Sequence, residues 1–428
     1  MKRLDSENME QEVQDVPSIL TKRRLLPGDR VLWTIVVLFF AISMVVVYSA
    51  SSQLGFKGGS TSYYLQKHFV TLCLSIGLLF ACYFMGARFL RKMTWVAYIS
   101  SLLLTISAYI FGEATNDAHR WLDLGLFRFQ PSELLKIGTI MLLAAQLSSV
   151  HHRIKQVRLL PTTINIVQWW KNQRQRKIIL NDILPIVLPI AAACAVILPA
   201  HSSSALHLYF VAMVILYMAG IRRGEILKLT IVAAVVGLSM LFTVGRGNVV
   251  KDRILVYLNI KEEGKKEYQS VLERYPDTKR SQMAIQNGGF FGVGAGRSVM
   301  RARLTHPESD YLFAIVVEEF GLLLSFIIIL LYLWLFFRAL RIFEKCEWLY
   351  AGLLVVGLAF LITSQGFLHI CVNTGILPET GQNLPFLTQG RTGMFCASIA
   401  MGIILSISRQ VEQGYLIPPT QTDDEKKS

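Results

Sequence analysis

Charge is what this sequence has least of: Asp, Glu, Lys and Arg make up 17% of its 428 residues, while 53% are apolar. A soluble domain carries about 25% charged residues, so water is excluded as the main solvent of this chain. Cysteine is sparse too. Five of the six, Cys73, Cys82, Cys194, Cys371 and Cys396, lie inside apolar runs, with no CxxC spacing and no histidine at metal-ligand spacing, so they read as small core residues. The first 19 residues lack the apolar core of a signal peptide, and the first hydrophobic run is expected to stay as a signal anchor. No soluble catalytic domain is expected.

What is present is a succession of apolar runs near 31–50, 66–86, 93–112, 131–149, 183–199, 204–220, 227–245, 310–337, 348–372 and 391–408. A bilayer span takes roughly 20 apolar residues, and a helix satisfies its own backbone in lipid. The expected fold class is an all-α integral membrane protein of about ten transmembrane helices. Its parts are a cytoplasmic tail 1–30, a polytopic membrane domain 31–408 and a cytoplasmic tail 409–428. The net charge of +14 sits beside apolar runs, which points to membrane lipids and away from nucleic acid as a partner. With the N-terminus inside, the short inner loops carry sixteen Lys and Arg and the short outer loops four, which predicts N-in/C-in.

Two connections are long. The basic cytoplasmic loop 150–182 holds Trp169 and Trp170 beside Lys171, which suits an interfacial segment or, equally, a solvated positive loop. The large extracytoplasmic loop 246–309, between helices 7 and 8, exceeds what a connector needs. Its charged first part, through Lys279, suits an exposed helix, and 288–296 reads GGFFGVGAG, a glycine-rich turn region.

Chemistry concentrates at five places. Asp310 stands at the outer edge of the eighth run, where partial desolvation suits a carboxylate to take a proton from a sugar hydroxyl. The plainer reading is an acid at a helix N-terminus. Glu318 and Glu319 follow about two turns deeper and are expected to be paired in the bundle interior or to line a polar cavity. The fourth run opens with Arg128-Phe129-Gln130-Pro131-Ser132-Glu133 and Lys136. Here Glu133 and Lys136 share one helix face, and Arg128 and Lys136 could neutralise a lipid diphosphate; a local ion pair explains the Glu–Lys spacing equally well. Arg297, Arg301 and Arg303 make a basic stretch before Asp310 that could hold an anionic substrate, and 378–386 is a polar, proline-bounded segment placed to wall a cavity.

At these residues the chain resembles the shape, elongation, division and sporulation (SEDS) family of polytopic glycosyltransferases, of the FtsW/RodA type. The resemblance rests on Arg120-Trp121 with Gln130-Pro131-Ser132-Glu133 and Lys136, on Ala284-Ile285 with Gly288-Gly289, Gly292, Gly294 and Gly296, on Asp310 with Phe313-Ala314 and Glu318-Glu319-Phe320-Gly321, and on Pro378, Gly381 and Leu384-Pro385-Phe386. It implies a peptidoglycan glycosyltransferase of the bacterial inner membrane that polymerises lipid II with inversion, with Asp310 activating the acceptor hydroxyl. It implies that Glu133 and Lys136 line the central cavity, and the residue-level reading adds Arg128, Arg297, Arg301, Arg303 and Glu318 as candidate substrate contacts. The sequence shows no dedicated metal ligands, although a divalent cation (Mg2+ or Mn2+) would assist the leaving diphosphate. Implied partners are a class B penicillin-binding transpeptidase and divisome proteins at the septum. The stretch 287–292 and the extended polar N-terminus favour the division branch over a RodA-type elongation polymerase. A lipid II flippase and a transpeptidase scaffold are the other readings, and Asp310 separates them: a base at the outer edge serves transfer and not transport. Three departures from the family pattern fall at Ala200-His201-Ser202, at Thr305-His306-Pro307-Glu308 and at Thr388-Gln389-Gly390-Arg391.

Overall fold

In a computed structural model the described residues are 26–56, 61–115, 118–123, 125, 128–151, 183–243, 251, 276–388 and 390–415, without the side chains of 50–64, 113–120 and 241–243. Each of the ten apolar runs is a helix. They are α1 (Arg30–Phe56), α2 (Thr61–Phe84), α4 (Thr94–Phe111), α5 (Pro131–Ser149), α6 (Leu184–Ile197), α7 (Ser202–Met218), α8 (Arg223–Thr243), α10 (Leu312–Lys345), α11 (Leu349–Asn373) and α12 (Arg391–Glu412). Among the described residues, six of these are long and apolar enough to cross a membrane: α1, α2, α4, α10, α11 and α12. A short α3 (Ala87–Lys92) turns the chain between α2 and α4. The basic loop with Trp169 and Trp170, and the charged stretch before Tyr275, lie outside the described residues.

Burial ranks the helices. Within its apolar window α11 is 83% buried and α4 28%, so α11 is central and α4 peripheral. The interior therefore lines up on α11, which packs on α5, α7, α10 and α12. Helix α12 lies closely against α2 because Gly402 has no side chain: a Cβ there would meet the Leu79 carbonyl oxygen at 2.4 Å. Small residues at such crossings let backbones approach in a membrane, where hydrophobic driving force between helices is lacking.

Three elements depart from the sequence expectation. The outer connection before α5 is a small antiparallel sheet, β1 (Glu113–Thr115), β2 (Ala118–Asp123) and β3 (Arg128–Phe129), in the order β1-β2-β3. Strands this short leave almost no periodicity to read. In the large loop, residues leading into the glycine-rich run form a helix the sequence did not single out, α9 (Asp277–Gly288), packed on α10 with Asp277, Arg280, Ser281 and Ala284 buried. The exposed helix expected before Lys279 falls almost wholly outside the described residues. Helix α10 is broken at Gly321 (φ 77°, ψ −179°).

The break explains the glycine-rich run, which is no free turn. Segment 288–294 inserts at the kink and takes up the backbone groups that the break releases: Val293 and Gly294 N–H donate to the Glu318 and Glu319 carbonyls at 2.9 and 3.0 Å, and Leu322 N–H donates to Gly289 O at 3.0 Å. A helix kink needs such substitute partners where water is scarce. A Cβ at Gly321 would lie 2.2 Å from the Phe290 carbonyl oxygen, so the close approach requires glycine.

Candidate active site

The polar residues of α11 fall four apart. Gln365, His369 and Asn373 therefore share one face over two helical turns, about 12 Å at 1.5 Å per residue. Each joins a different part of the site, and the stripe links Lys136 at one end, inner on the topology the sequence predicts, to Asp310 at the other, outer on the same prediction.

At the inner end Lys136 has no exposed surface. Its ammonium is 2.8 Å from Glu133 Oε1 and donates to Gln365 Oε1 at 3.2 Å. Gln365 Nε2 in turn donates to the Asn383 carbonyl at 3.2 Å. A small cavity opens beside this group, lined by Glu133, Ile137, Gln365, Pro385 and Cys396 among others. In the middle, His369 Nδ1 donates to Gln382 O at 2.8 Å while Nε2 accepts from Phe313 N at 3.4 Å, an arrangement that one neutral tautomer satisfies. Gln382 Nε2 donates to Ser204 Oγ at 2.8 Å, and Ser204 is bonded to His201 Nδ1. His201 thus stands at the departure between α6 and α7, its Nε2 donating to the Thr380 carbonyl at 3.1 Å.

At the outer end Asn373 is fully buried and fully used. Its Nδ2 donates to Asp310 O at 3.0 Å and His369 O at 2.8 Å, and its Oδ1 accepts from Ala314 N at 2.9 Å. Ser281 of α9 donates to the Asn373 carbonyl at 2.7 Å. Asp310 is half-buried, with its N–H on His306 O at 3.0 Å, so its backbone is fixed from both sides just before α10 begins. Thr305-His306-Pro307-Glu308, the second departure, forms the turn that delivers it.

Segment 378–388 covers the stripe, and Pro385 within it lines the small cavity. It is pinned by Tyr332 Oη donating to Pro385 O at 2.5 Å and by Tyr311 Oη donating to Glu379. Phe386 has φ 66° and stacks on Phe39 at 5.2 Å between ring centroids. A bulky residue in that region is strained and persists only where packing over-determines it.

The structure places the basic and acidic candidates in two groups. Glu133 and Lys136 form the predicted pair at the cavity. Arg301 and Glu318 belong instead to the splint under α10. Glu318 has no exposure; Oε1 accepts from Asn287 Nδ2 at 2.9 Å and Val299 N at 3.2 Å, and Oε2 from Ser298 Oγ and Met300 N. Arg301 Nη1 donates to Glu319 Oε1 at 3.0 Å and to Ser49 O at 3.1 Å. Burial lowers the Arg301 pKa and the Glu319, Glu308 and Glu318 carboxylates oppose this; a guanidinium stays charged through neutral pH in any case. Arg297 is exposed, Arg303 half-buried with its carbonyl accepting from Arg280, and Arg128 is exposed on β3 with its carbonyl accepting from Thr392 Oγ1 at 3.3 Å. Among the described residues no three carboxylate, imidazole or thiol side chains converge as a metal cage. The described residues alone do not assemble a cage for a resident divalent ion.

This order of elements, motifs and helix positions is shared with known proteins: residues 29–413 match the family model of the FtsW/RodA/SpoVE cell cycle proteins. The chain belongs to the FtsW/RodA/SpoVE family. A relative named probable peptidoglycan glycosyltransferase FtsW, from Neisseria gonorrhoeae (strain NCCP11945), is 30% identical over 412 residues, covering 90% of this chain and 86% of the relative. Stage V sporulation protein E of Bacillus subtilis (strain 168) is 27% identical, covering 91% and 99%. Among solved structures, a peptidoglycan synthase complex that coordinates polymerisation and crosslinking contains a chain similar in fold, with TM-score 0.64 and 21% identity, covering 90% of this chain and 98% of that one. The rod shape determining protein RodA of Thermus thermophilus is similar with TM-score 0.59 at 21% identity and the same coverage. In this FtsW/RodA/SpoVE chain, sequence reasoning missed Gln365, His369 and Asn373. The available signal was three polar residues spaced by four in an otherwise apolar run.

Proposed function

We propose that this chain is an inverting peptidoglycan glycosyltransferase that polymerises lipid II into glycan strands in the bacterial inner membrane, at the division septum. The observation that carries the proposal is the family match over 29–413 together with a carboxylate, Asp310, at the outer end of the polar stripe. In the proposed reaction Asp310 accepts the proton of the acceptor's 4-hydroxyl, whose oxygen attacks the anomeric carbon of the donor. The lipid diphosphate leaves from the opposite face, which inverts that centre. Arg128, Arg297 and Arg303 stand at or near the outer surface, where guanidinium groups suit diphosphate. Glu133 and Lys136 contribute polarity to the cavity wall, and Arg301 and Glu318 serve the site by holding its outer arm. A class B penicillin-binding transpeptidase is the proposed partner, with divisome proteins around it; the FtsW name carried by relatives supports the division branch.

The test is polymerisation of labelled lipid II by purified protein, alone and with its co-purified transpeptidase, comparing wild type with Asp310→Asn at matched folding. Glycan from wild type and none from the variant is the expected result. Equal polymer from both would remove Asp310 from the role of base, and none from either, even with the partner, would favour a flippase or a scaffold.

A further inference from the structure

The tip of the outer loop is apolar and uncovered. Phe290 is 58% and Phe291 79% exposed, and their rings pack edge to face at 4.9 Å. Water is a poor neighbour for two adjacent phenylalanines, and loops normally run through water. The tip's height can be read from α10, to which it is laddered by Leu322 N–H on Gly289 O and Leu323 N–H on Phe290 O. Toward the opposite end of α10 the Arg338 guanidinium, ion-paired with Asp29 at the start of α1, is the first charged group after Glu319 and so sets the far limit of the apolar stretch. From Arg338 to Leu322 is sixteen residues, about 24 Å at 1.5 Å per residue, whereas the hydrocarbon layer is about 30 Å thick. The phenylalanine pair therefore lies within about 6 Å of the outer hydrocarbon edge, on its inner side.

Its surroundings agree with that height. Leu322, Leu323 and Phe326 of α10 are exposed beside it, continuous with Ile327 and Leu330 below, which is the surface a membrane helix turns to lipid. Non-helical backbone is tolerated at that depth only when its polar groups are satisfied. At the tip the Gly289 and Phe290 carbonyls and the N–H groups of Gly292, Val293 and Gly294 all have backbone partners.

We propose that Phe290 and Phe291 are a membrane anchor, a re-entrant aromatic tip that enters the outer acyl-chain layer and ties the arm carrying Asp310 to the bilayer. The occupant of this surface is lipid. Buried in hydrocarbon, two phenylalanine side chains hold the loop, which reaches that layer at the α10 break. The inference rests on the outer placement of loop 246–309 and not on the glycosyltransferase reading.

The test is the fluorescence of full-length Phe291→Trp in phosphatidylglycerol and phosphatidylethanolamine vesicles, read as the difference from wild type. Lipids brominated near the headgroup end of the acyl chain should quench most of the added emission, and aqueous iodide should leave it unchanged. Quenching by iodide and not by bromolipid places the tip in water and overturns the proposal. Resistance to both places it against protein and overturns it equally. Phe290→Trp supplies an independent reading if the first variant fails to fold. Lipid II polymerisation is not part of the readout, so the two proposals fail separately.

Discussion

Lys136 is held by Glu133 and Gln365 with no exposed surface, and that fixes what its loss should do. Removing one member of a buried ion pair leaves the other charge uncompensated, at a cost of about 3–5 kcal/mol. Lys136→Met is expected to lower the thermal midpoint of the purified protein in detergent, and adding Glu133→Gln should recover most of that loss. If the double variant regains stability but not polymerisation, the pair serves the reaction as well as the fold; if it regains both, it is structural only. Asn373 makes a different prediction, because all three of its side-chain hydrogen bonds go to backbone and none to charge. Asn373→Ala should cost about 1 kcal/mol per bond. Its polymerisation rate should fall even at a temperature where circular dichroism shows the variant folded, because Asp310 loses the donor that fixes its carbonyl. An unchanged rate would show that the His306 bond alone suffices.

At the scale of elements the broken helix α10 is the feature to test. Gly321 has a positive φ, which costs an ordinary residue about 1–3 kcal/mol, and a Cβ would also meet the Phe290 carbonyl at 2.2 Å. Gly321→Ala is expected to lower the thermal midpoint and detach 288–294. Gly77→Ala in α2 is the control, since a Cβ there meets nothing within 4 Å and alanine favours a helix by about 1 kcal/mol; its midpoint should hold or rise. Equal losses in both would mean the glycine requirement at 321 is not one of geometry. The ten helices were legible because lipid imposes long apolar runs. The Glu133–Lys136 pair was legible because three residues is a helical spacing. The break was not, since Phe320-Gly321-Leu322 sits within a run that reads as one span. Nor was the role of Gly288 to Gly294, because the groups it satisfies are carbonyls and N–H groups of another element, and these leave no trace in side-chain identity. Glu319 is ion-paired with Arg301 as expected, whereas Glu318 is held by hydrogen bonds from Asn287 and 298–300 without a cation, and these partners follow from the loop's path and not from periodicity.

In the whole molecule the start of α1 and the end of α12 are fastened together at one end of the bundle. Gly28 N–H donates to Glu412 Oε2 at 2.5 Å, Asp29 N–H to Ser408 Oγ at 2.9 Å, and the Arg409 guanidinium lies 4.6 Å from the Tyr83 ring centre. Asp29 also accepts from Val31 N at 2.8 Å, capping α1, while its other oxygen holds Arg338 of α10. Chain ends that touch must lie on the same side of a bilayer, so the number of crossings between them is even. The contacts do not say which side; the excess of Lys and Arg in the short loops on that side predicts the cytoplasm. Fusions test both statements at once. A fluorescent protein at the C-terminus should fluoresce and alkaline phosphatase there should be inactive, whereas phosphatase inserted within 261–275 of the large loop should be active. An active C-terminal phosphatase with a cytoplasmic N-terminus would contradict the Gly28–Glu412 contact itself. Both termini outside would leave the contact standing and overturn the charge rule for this chain, and would move Asp310 to the inner face, where an outer-leaflet acceptor could not reach it.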